Sequence, residues 1–184
     1  MGKPDLCGHQ VGPYHLIGIL GVGSAGTVYR AVDATSEHPT SFAVKCLPKT
    51  WTMSEGGAQL VAELFYQNTV AGCPHVLTLR DAIKQGRYLF LVLDLCESDV
   101  YKAIWKNPVY WRNDALIRKA FIEMLDGVNA CHERKVFHRD LKPENIMCKA
   151  DGTDIKIGDF GMATHRYISR DGRCGTPYYM SPGQ

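Results

Sequence analysis

The stretch that decides the fold is His138-Arg-Asp-Leu-Lys-Pro-Glu-Asn145, followed by Asp154-Ile-Lys-Ile-Gly-Asp-Phe-Gly161. In the second segment two isoleucines alternate with a lysine, which predicts a short strand with one buried face and places Asp159 at its end. Asp159 and Asn145 offer the hard oxygen ligands that magnesium requires. Asp140 is then the carboxylate that can orient a hydroxyl group and accept its proton.

A glycine-rich stretch, Gly21-Val-Gly-Ser-Ala-Gly-Thr-Val28, lies nearer the N-terminus. Its G-x-G-x-x-G spacing also opens Rossmann units, but there a helix follows the third glycine. Here residues 28–32 alternate as a strand does, so we predict a strand–loop–strand hairpin. The absence of side chains at Gly21, Gly23 and Gly26 lets backbone amides approach phosphate oxygens. A flexible hairpin without a ligand is the alternative.

Lys45 ends the apolar run that begins at Phe42. An ammonium group there is costly unless it meets anions, which phosphate oxygens and the carboxylate of Glu63 would supply. Glu55 competes for the carboxylate role, but it stands beside two glycines near the start of the predicted helix. A lysine whose charged end simply reaches solvent is the other interpretation.

The remaining pattern predicts an α+β chain, because strands and one helix come first and mostly helix follows. Residues 1–13 are polar and rich in glycine and proline, which is typical of a loose tail. Apolar spacing predicts one helix with Leu60, Val61, Leu64 and Phe65 on one face, and a longer one with Ile117, Phe121, Leu125, Val128 and His132 recurring at three or four residues. The strands are predicted at 16–20, 27–32, 41–45, 76–79 and 88–93, and the helices at 58–70 and 113–135.

Composition narrows the function classes. The 184 residues carry a net charge of +2, too small to indicate nucleic acid or an anionic membrane as a partner. No apolar run has the length of a membrane span or a secretory signal. The seven cysteines are scattered and never spaced C-x-x-C, which favours reduced thiols in the cytosol or nucleus.

Together, the glycine loop, Lys45, Glu63, the 138–145 stretch and Asp159-Phe-Gly161 resemble the eukaryotic protein kinase family, from about Tyr14 to the last residue. Lys142 matches the lysine that is typical of the serine/threonine branch. The sequence at 136–140 and 178–182 is similar to that of fungal kinases that control nutrition and meiosis. The resemblance implies a two-lobed kinase-like fold, with an antiparallel-sheet N-lobe at 14–93 and a partial helical C-lobe at 94–184. It also implies transfer of the ATP γ-phosphoryl group to serine or threonine hydroxyls of proteins, with Mg²⁺.

The resemblance also assigns roles to individual residues. Lys45 pairs with Glu63 and the phosphates, Asp140 is the base, Lys142 faces the γ-phosphate, Asn145 and Asp159 hold the metal, and Thr176 bonds Asp140 and Lys142. The nucleotide contacts implied are Leu20, Gly21, Gly23, Gly26, Val28, Ala43, Leu93 as gatekeeper, the backbone of Asp94 and Cys96, Asp99 at the ribose, and Met147.

Two departures from the family stand out. Gly183 occupies the place of a glutamate, and the chain ends at Gln184, before further helices of the family's C-terminal lobe. From this we expect a truncated kinase fold with exposed apolar faces, part of the 113–135 helix among them, through which the protein associates. A catalytically weak chain that acts as a nucleotide- or partner-binding module is the alternative function. A glycine also stands at the usual activation phosphosite, so Asp171 or a phosphorylated Ser169 would have to supply the anion.

Overall fold

A computed structural model describes residues 5–23, 26–35, 37, 39–48, 55–167 and 174–180, without the side chains of residues 55–61. Within the described residues, three short 3₁₀ turns, at Pro143–Asn145, Phe160–Met162 and Pro177–Tyr179, accompany the strands and helices. The strands and helices are β1 (Gln10–Val11), β2 (Tyr14–Gly23), β3 (Gly26–Asp33), β4 (Ser41–Pro48), α1 (Glu55–Thr69), β5 (Leu79–Gln85), β6 (Tyr88–Asp94), β7 (Ser98–Asp99), α2 (Val100–Trp105), α3 (Asp114–Glu133), β8 (Ile146–Cys148) and β9 (Lys156–Ile157).

The chain divides into two compact units. The strand unit comprises Met1–Ala58 and Thr78–Leu95, and the helical unit comprises Gln59–Leu77 and Cys96–Gln184. Residues 59–77, which the sequence analysis placed with the strands, thus group with the helices. They do so because the end of α1 and the loop after it contribute three buried apolar side chains to the core of the helical unit. These are Val70, Cys73 and Val76. The proposed lobe boundaries stay a prediction.

The strand unit is a six-stranded antiparallel sheet in the order β1-β2-β3-β4-β6-β5. One face packs into an apolar core that includes the fully buried Tyr29, Val44 and Val92. Side chains alternate across a strand, so the residues between these point to the opposite face. The two edges of the sheet are joined by Gln85, which donates to the carbonyl of Gln10 at 2.8 Å and accepts from the amide of Gly12 at 3.2 Å.

Four of the five predicted strands are confirmed, and the fifth is wrong. Residues 76–79 do not form a strand, and β5 begins only at Leu79. Val76 and Leu77 are apolar because they are buried in the chain's interior, at 4% and 7% exposure, and Val76 makes only an isolated parallel bridge to Ile157. The strand that forms is a polar edge strand, whose sequence lacks an apolar alternation.

Residues 5–13, which the sequence analysis assigned to a loose tail, are ordered in the sheet. β1 pairs with β2, and Val11 is 2% exposed in the core of the strand unit. Leu6 also packs against this core. A single well-placed valine and a partly buried leucine are enough to bind the segment to the sheet, and neither produces a periodic pattern in the sequence.

The helical unit contains α1 from residue 59 onward, α2, α3 and a small sheet in the order β7-β8-β9. Both helices are confirmed, but their buried faces differ from the apolar residues that predicted them. In α1 the described buried side chains are Glu63 and Gln67, and Phe65 is 55% exposed. In α3 the buried residues are mostly small, while the large ones face outward. Those buried are Ala120, Gly127, Ala130 and Cys131, and those exposed include Ile117, Phe121 and Leu125.

Among the described residues, none of the helices combines the length and the apolar character that a bilayer crossing requires.

Candidate active site

The face of the six-stranded sheet opposite the core of Tyr29, Val44 and Val92 carries four of the predicted nucleotide contacts of the strand unit. Val28 stands directly opposite Lys45, and Ala43 stands opposite Leu93. Ala43 and Lys45 are two residues apart on β4, so all four side chains point to the same face, away from the buried core. Each is half-buried. This face therefore presents an apolar surface with one ammonium group in it.

The predicted glycine hairpin is confirmed. β2 and β3 pair with Gly21 opposite Val28 and Gly23 opposite Gly26, around two loop residues that lie outside the described part of the chain. A Cβ at Gly26 would collide with the carbonyl oxygen of Cys46, so packing against β4 alone requires glycine there. A Cβ at Gly21 would meet nothing within 4 Å. Packing in the strand unit therefore leaves room for a side chain at Gly21.

Leu20, the remaining predicted contact on β2, is 47% exposed and lies where the pairing register shifts between Ile19 and Gly21.

Lys45 and Glu63 belong to different units, so their ion pair stays a prediction. Glu63 lies near the middle of α1 and is only 7% exposed. A carboxylate buried to that extent requires a polar or charged partner, which is consistent with a pairing role. The side chain of Glu55, the competing carboxylate, lies outside the described residues.

Asp140 is the centre of a hydrogen-bonded cluster in the helical unit. The hydroxyl of Thr176 donates to its Oδ1 at 2.7 Å, and Lys142 Nζ lies 2.8 Å from its Oδ2. Lys142 also donates to the Thr176 hydroxyl at 2.8 Å, and Asn145 Nδ2 donates to Asp140 Oδ2 at 3.1 Å. The predicted contacts of Thr176 with Asp140 and Lys142 are therefore confirmed. A cavity of about 190 Å³ opens beside the cluster, lined among others by Leu141, Tyr179 and Met180.

Burial by itself would raise the pKa of Asp140, but hydrogen bonds from Lys142 and Thr176 outweigh it, and the pKa lies below its ordinary value. Asp140 is thus an ionised carboxylate. A carboxylate offers about four lone-pair sites, two on each oxygen. Among the described residues, Lys142 and Asn145 use those of Oδ2 and Thr176 uses one of Oδ1. One lone-pair site on Oδ1 is not used by any described residue.

The imidazole of His138 joins Asp140 to the strand that precedes Asp159, a role that the sequence analysis missed. Its Nε2 lies 2.8 Å from the carbonyl oxygen of Gly158, and its Nδ1 accepts from the Asp140 amide at 3.2 Å. Because a carbonyl only accepts, the proton sits on Nε2 and the ring is neutral. Burial lowers the pKa of His138, which favours this form. The quoted stretch contains His138, but spacing alone gives it no partner.

Asp159 is preceded by Gly158, whose amide donates to the Asn145 carbonyl at 2.9 Å. Asp159 has φ 60°, a left-handed conformation that aspartate tolerates better than most residues. The side-chain amide of Asn145 donates from Nδ2 to both the carbonyl and the carboxylate of Asp140. These two bonds fix the direction in which Asn145 Oδ1 points.

Asp159 and Asn145 carry the kinds of oxygen ligand that a magnesium ion takes. The described residues contain no group of three or more His, Cys, Asp or Glu side chains able to hold a metal. A cation here would take one carboxylate from Asp159, one amide oxygen from Asn145, and its other ligands from phosphates and water. Mg²⁺ is commonly bound in this way.

The predicted purine and ribose contacts have structural partners of their own. The Asp94 amide donates to the Thr78 carbonyl at 3.1 Å. The Asp94 carboxylate takes two hydrogen bonds from Arg80, at 2.5 and 3.1 Å. Asp99 caps α2 by accepting from the Lys102 amide at 2.8 Å. Cys96 and Met147 are half-buried in the helical unit. Their nucleotide contacts stay a prediction.

Ser169, Asp171 and Gly183, on which the expected departures from the family rest, lie outside the described residues.

With this geometry established, comparison with known proteins identifies the class. The sequence profile described as "Protein kinase domain" matches residues 14–183, and the chain belongs to this family. The predicted fold class, α+β with an antiparallel-sheet lobe and a partial helical lobe, is confirmed.

Individual relatives agree with the family. The chain is 35% identical over 183 residues, 98% of its length, to the "Negative regulator of sexual conjugation and meiosis" of Schizosaccharomyces pombe. It is 33% identical over 95% of its length to "CBL-interacting serine/threonine-protein kinase 1" of Arabidopsis thaliana. It is 29% identical over 95% of its length to the "Carbon catabolite-derepressing protein kinase" of Candida glabrata. The chain spans 38%, 40% and 28% of these three proteins, respectively.

Proposed function

We propose that this protein is a serine/threonine protein kinase that uses ATP and Mg²⁺. The observation that supports this most directly is the cluster of Asp140, Lys142, Asn145 and Thr176, beside a cavity of about 190 Å³ that Asp140 and Thr176 help to line. The names of the relatives, two of which include "protein kinase", support the same activity.

The cluster fits in-line transfer to a hydroxyl. The substrate oxygen forms a bond to the γ-phosphorus of ATP, the bond to the β–γ bridging oxygen breaks, and ADP leaves. Asp140 accepts the hydrogen bond of the hydroxyl, orients its oxygen, and takes up the proton. Its lowered pKa makes it a weak base, so its main contribution is orientation.

Lys142 neutralises charge in this reaction. Its ammonium group has three donors, of which Asp140 and Thr176 engage two. The third is available for a phosphate oxygen. Bound Mg²⁺ would screen the phosphate charge, with Asp159 and Asn145 as its protein ligands.

The test is transfer of radiolabelled phosphate from ATP to a generic basic protein. Asp140→Asn keeps the size of the side chain but removes the carboxylate, and we expect it to lower transfer by at least about a hundredfold. Equal transfer by the wild-type and Asp140→Asn proteins would overturn the enzyme proposal.

A second measurement addresses the alternative, a nucleotide-binding module without catalysis. We expect Mg-ATP to raise the unfolding temperature of the wild-type protein and not that of Lys45→Ala. Lys84→Ala, on the exposed edge strand of the same sheet, is the matched control and should keep the shift. A shift that requires Lys45, without any phosphate transfer, would favour the binding module.

We also propose that the protein has partners besides its substrate, and that it works in the cytosol or nucleus. All seven cysteines lie in the described residues and none forms a disulfide, which is consistent with a reducing compartment. The surface of α2, α3 and the loop between them exposes large apolar side chains, Trp105 and Trp111 among them at 73% and 74%. Exposed apolar surface of this kind favours association.

A further inference from the structure

The peptide of Ile155, four residues before Asp159, is held from both sides by side chains of other elements. The ring Nδ1 of His75, in the loop after α1, lies 3.0 Å from the Ile155 carbonyl oxygen. The carboxylate of Glu123, on α3, accepts from the Ile155 amide at 3.0 Å. Ile155 is itself fully buried. Because a carbonyl only accepts, His75 must donate from Nδ1.

The backbone of the same loop continues this attachment along β9. The Ile157 amide donates to the His75 carbonyl at 2.8 Å, and the Leu77 amide donates to the Ile157 carbonyl at 2.9 Å. β9, which ends two residues before Asp159, therefore has β8 on one side and the loop at 75–77 on the other.

Helix α3 presses directly on this loop. A Cβ at Gly127 would lie 2.7 Å from the His75 carbonyl oxygen and 3.0 Å from Ile157 Cδ1, closer than packed atoms allow. Gly127 thus permits the helix backbone to reach the loop. His75 has φ 55°, a left-handed conformation that few residues other than glycine adopt. A conformation of this kind persists only where its surroundings enforce it.

We propose that His75 is a positioning residue for phosphoryl transfer, which fixes the strand that delivers Asp159 and attaches it to the loop that ends α1. The proposal rests on the proposed function. His75 touches neither substrate nor metal; it acts through Ile155, Ile157 and the backbone that leads to Asp159. Since α1 also carries Glu63, the loop connects two residues of the candidate site within one unit.

The test compares His75→Ala with His75→Asn in the full chain. The alanine variant loses the donor to Ile155. The asparagine variant keeps an N–H at nearly the same place, and asparagine, like histidine, is among the residues enriched at positive φ. We measure binding of a fluorescent ATP analogue while Mg²⁺ is titrated. Loss of a group that orients a metal ligand typically costs about 10–100-fold in metal affinity. We therefore expect His75→Ala to need roughly tenfold more Mg²⁺ for half-maximal binding, and His75→Asn to remain within about twofold of wild type.

His165→Ala is the matched control, because it breaks the same kind of bond elsewhere in the helical unit. Its Nδ1 lies 2.7 Å from the Lys135 carbonyl oxygen, and we expect an unchanged Mg²⁺ requirement. Should His75→Ala fail to fold, His75→Gln replaces it, since its amide lies one carbon further from the backbone than the ring Nδ1.

Amide hydrogen exchange without nucleotide or metal gives a second, independent readout. We expect the Ile157 amide to exchange faster in His75→Ala and at the wild-type rate in His75→Asn. An unchanged Mg²⁺ requirement in His75→Ala, with normal binding by the wild type, would overturn this inference alone. If the wild type binds no nucleotide at any Mg²⁺ concentration, the proposed function fails, whatever the exchange rates show.

Discussion

The His138 imidazole is 5% exposed, donates to Gly158 and accepts from Asp140. Protonation would place a second hydrogen on Nδ1, which could no longer accept from the Asp140 amide. The folded protein therefore resists taking up this proton. Burial, which disfavours the charged ring, also lowers the pKa of His138.

This residue predicts a pH dependence of stability. In the unfolded chain His138 takes up a proton near its ordinary pKa of 6.5, whereas the folded protein does so only at lower pH. The free energy of unfolding should therefore be constant above that pKa and fall as the pH drops below it, by at most about 1.4 kcal/mol per pH unit. Urea denaturation between about pH 5 and pH 7 measures this slope.

His138→Asn is the control, because it removes the titrating group. The same slope in wild type and variant would contradict the prediction. Asp140 adds a separate loss of stability at lower pH. Its pKa is lowered in the folded state, so its contribution is present above the ordinary value of 3.8 and disappears as the pH falls through the folded value.

At the residue scale, motif spacing identified Asp140, Asn145 and Asp159, and the resemblance added Lys142 and Thr176. Neither predicted what holds them. Hydrogen bonds to main-chain groups are made by His138, His75 and Glu123. Every residue has such main-chain groups, so the sequence does not indicate which residue is the partner. Asp99 also caps α2, a role that an aspartate before a helix often fills, and its contact with a ribose stays a prediction.

At the scale of elements, the glycines of the β2–β3 hairpin allow two roles of glycine, close packing and approach to a ligand, to be tested separately. We expect Gly26→Ala to lower the free energy of unfolding by about 2 kcal/mol or more, because the new Cβ meets the backbone of β4 and cannot rotate away. Gly21→Ala meets no atom of the strand unit and should change stability by less than about 0.5 kcal/mol. Urea denaturation of both variants is the measurement.

Nucleotide binding by the same pair completes the experiment. If the hairpin amides approach phosphate oxygens, Gly21→Ala should weaken binding of ATP while leaving the fold intact. A Gly21→Ala protein that is as unstable as Gly26→Ala would show that packing alone accounts for both glycines.

The sequence predicted well those elements whose apolar residues are also their buried residues. β6 is an example, since a continuous apolar run in the middle of a sheet is buried on both faces. β5 was missed because an edge strand needs few apolar residues, and β1 because two residues carry no period. The buried face of α3 was obscured because its contacts use alanine, glycine and cysteine, which a hydrophobicity pattern ranks below the exposed Phe121 and Leu125.

For the whole molecule, the exposed apolar side chains of α2 and α3 predict concentration-dependent association. They line a cavity of about 380 Å³ whose walls include Ile104, Trp111, Ile117 and Phe121. We expect Phe121→Glu, which places a charge in this surface, to reduce association in light scattering across a concentration series. Ile17→Glu, at a similarly exposed apolar position in the strand unit, is the control and should have little effect. Equal scattering by wild type and Phe121→Glu would contradict the prediction.

The hydrogen bonds that Gln85 makes between the β1 and β5 edges of the sheet affect the tendency of the protein to aggregate. A sheet border with unsatisfied amides and carbonyls can recruit a strand from another chain and begin a fibril. Here the carboxamide of Gln85 supplies both a donor and an acceptor across the gap between the two edges of the sheet. It takes the place of one pair of main-chain hydrogen bonds and so partly closes the sheet. Charged residues on β5, Arg80, Asp81 and Lys84, further discourage a foreign strand from docking there.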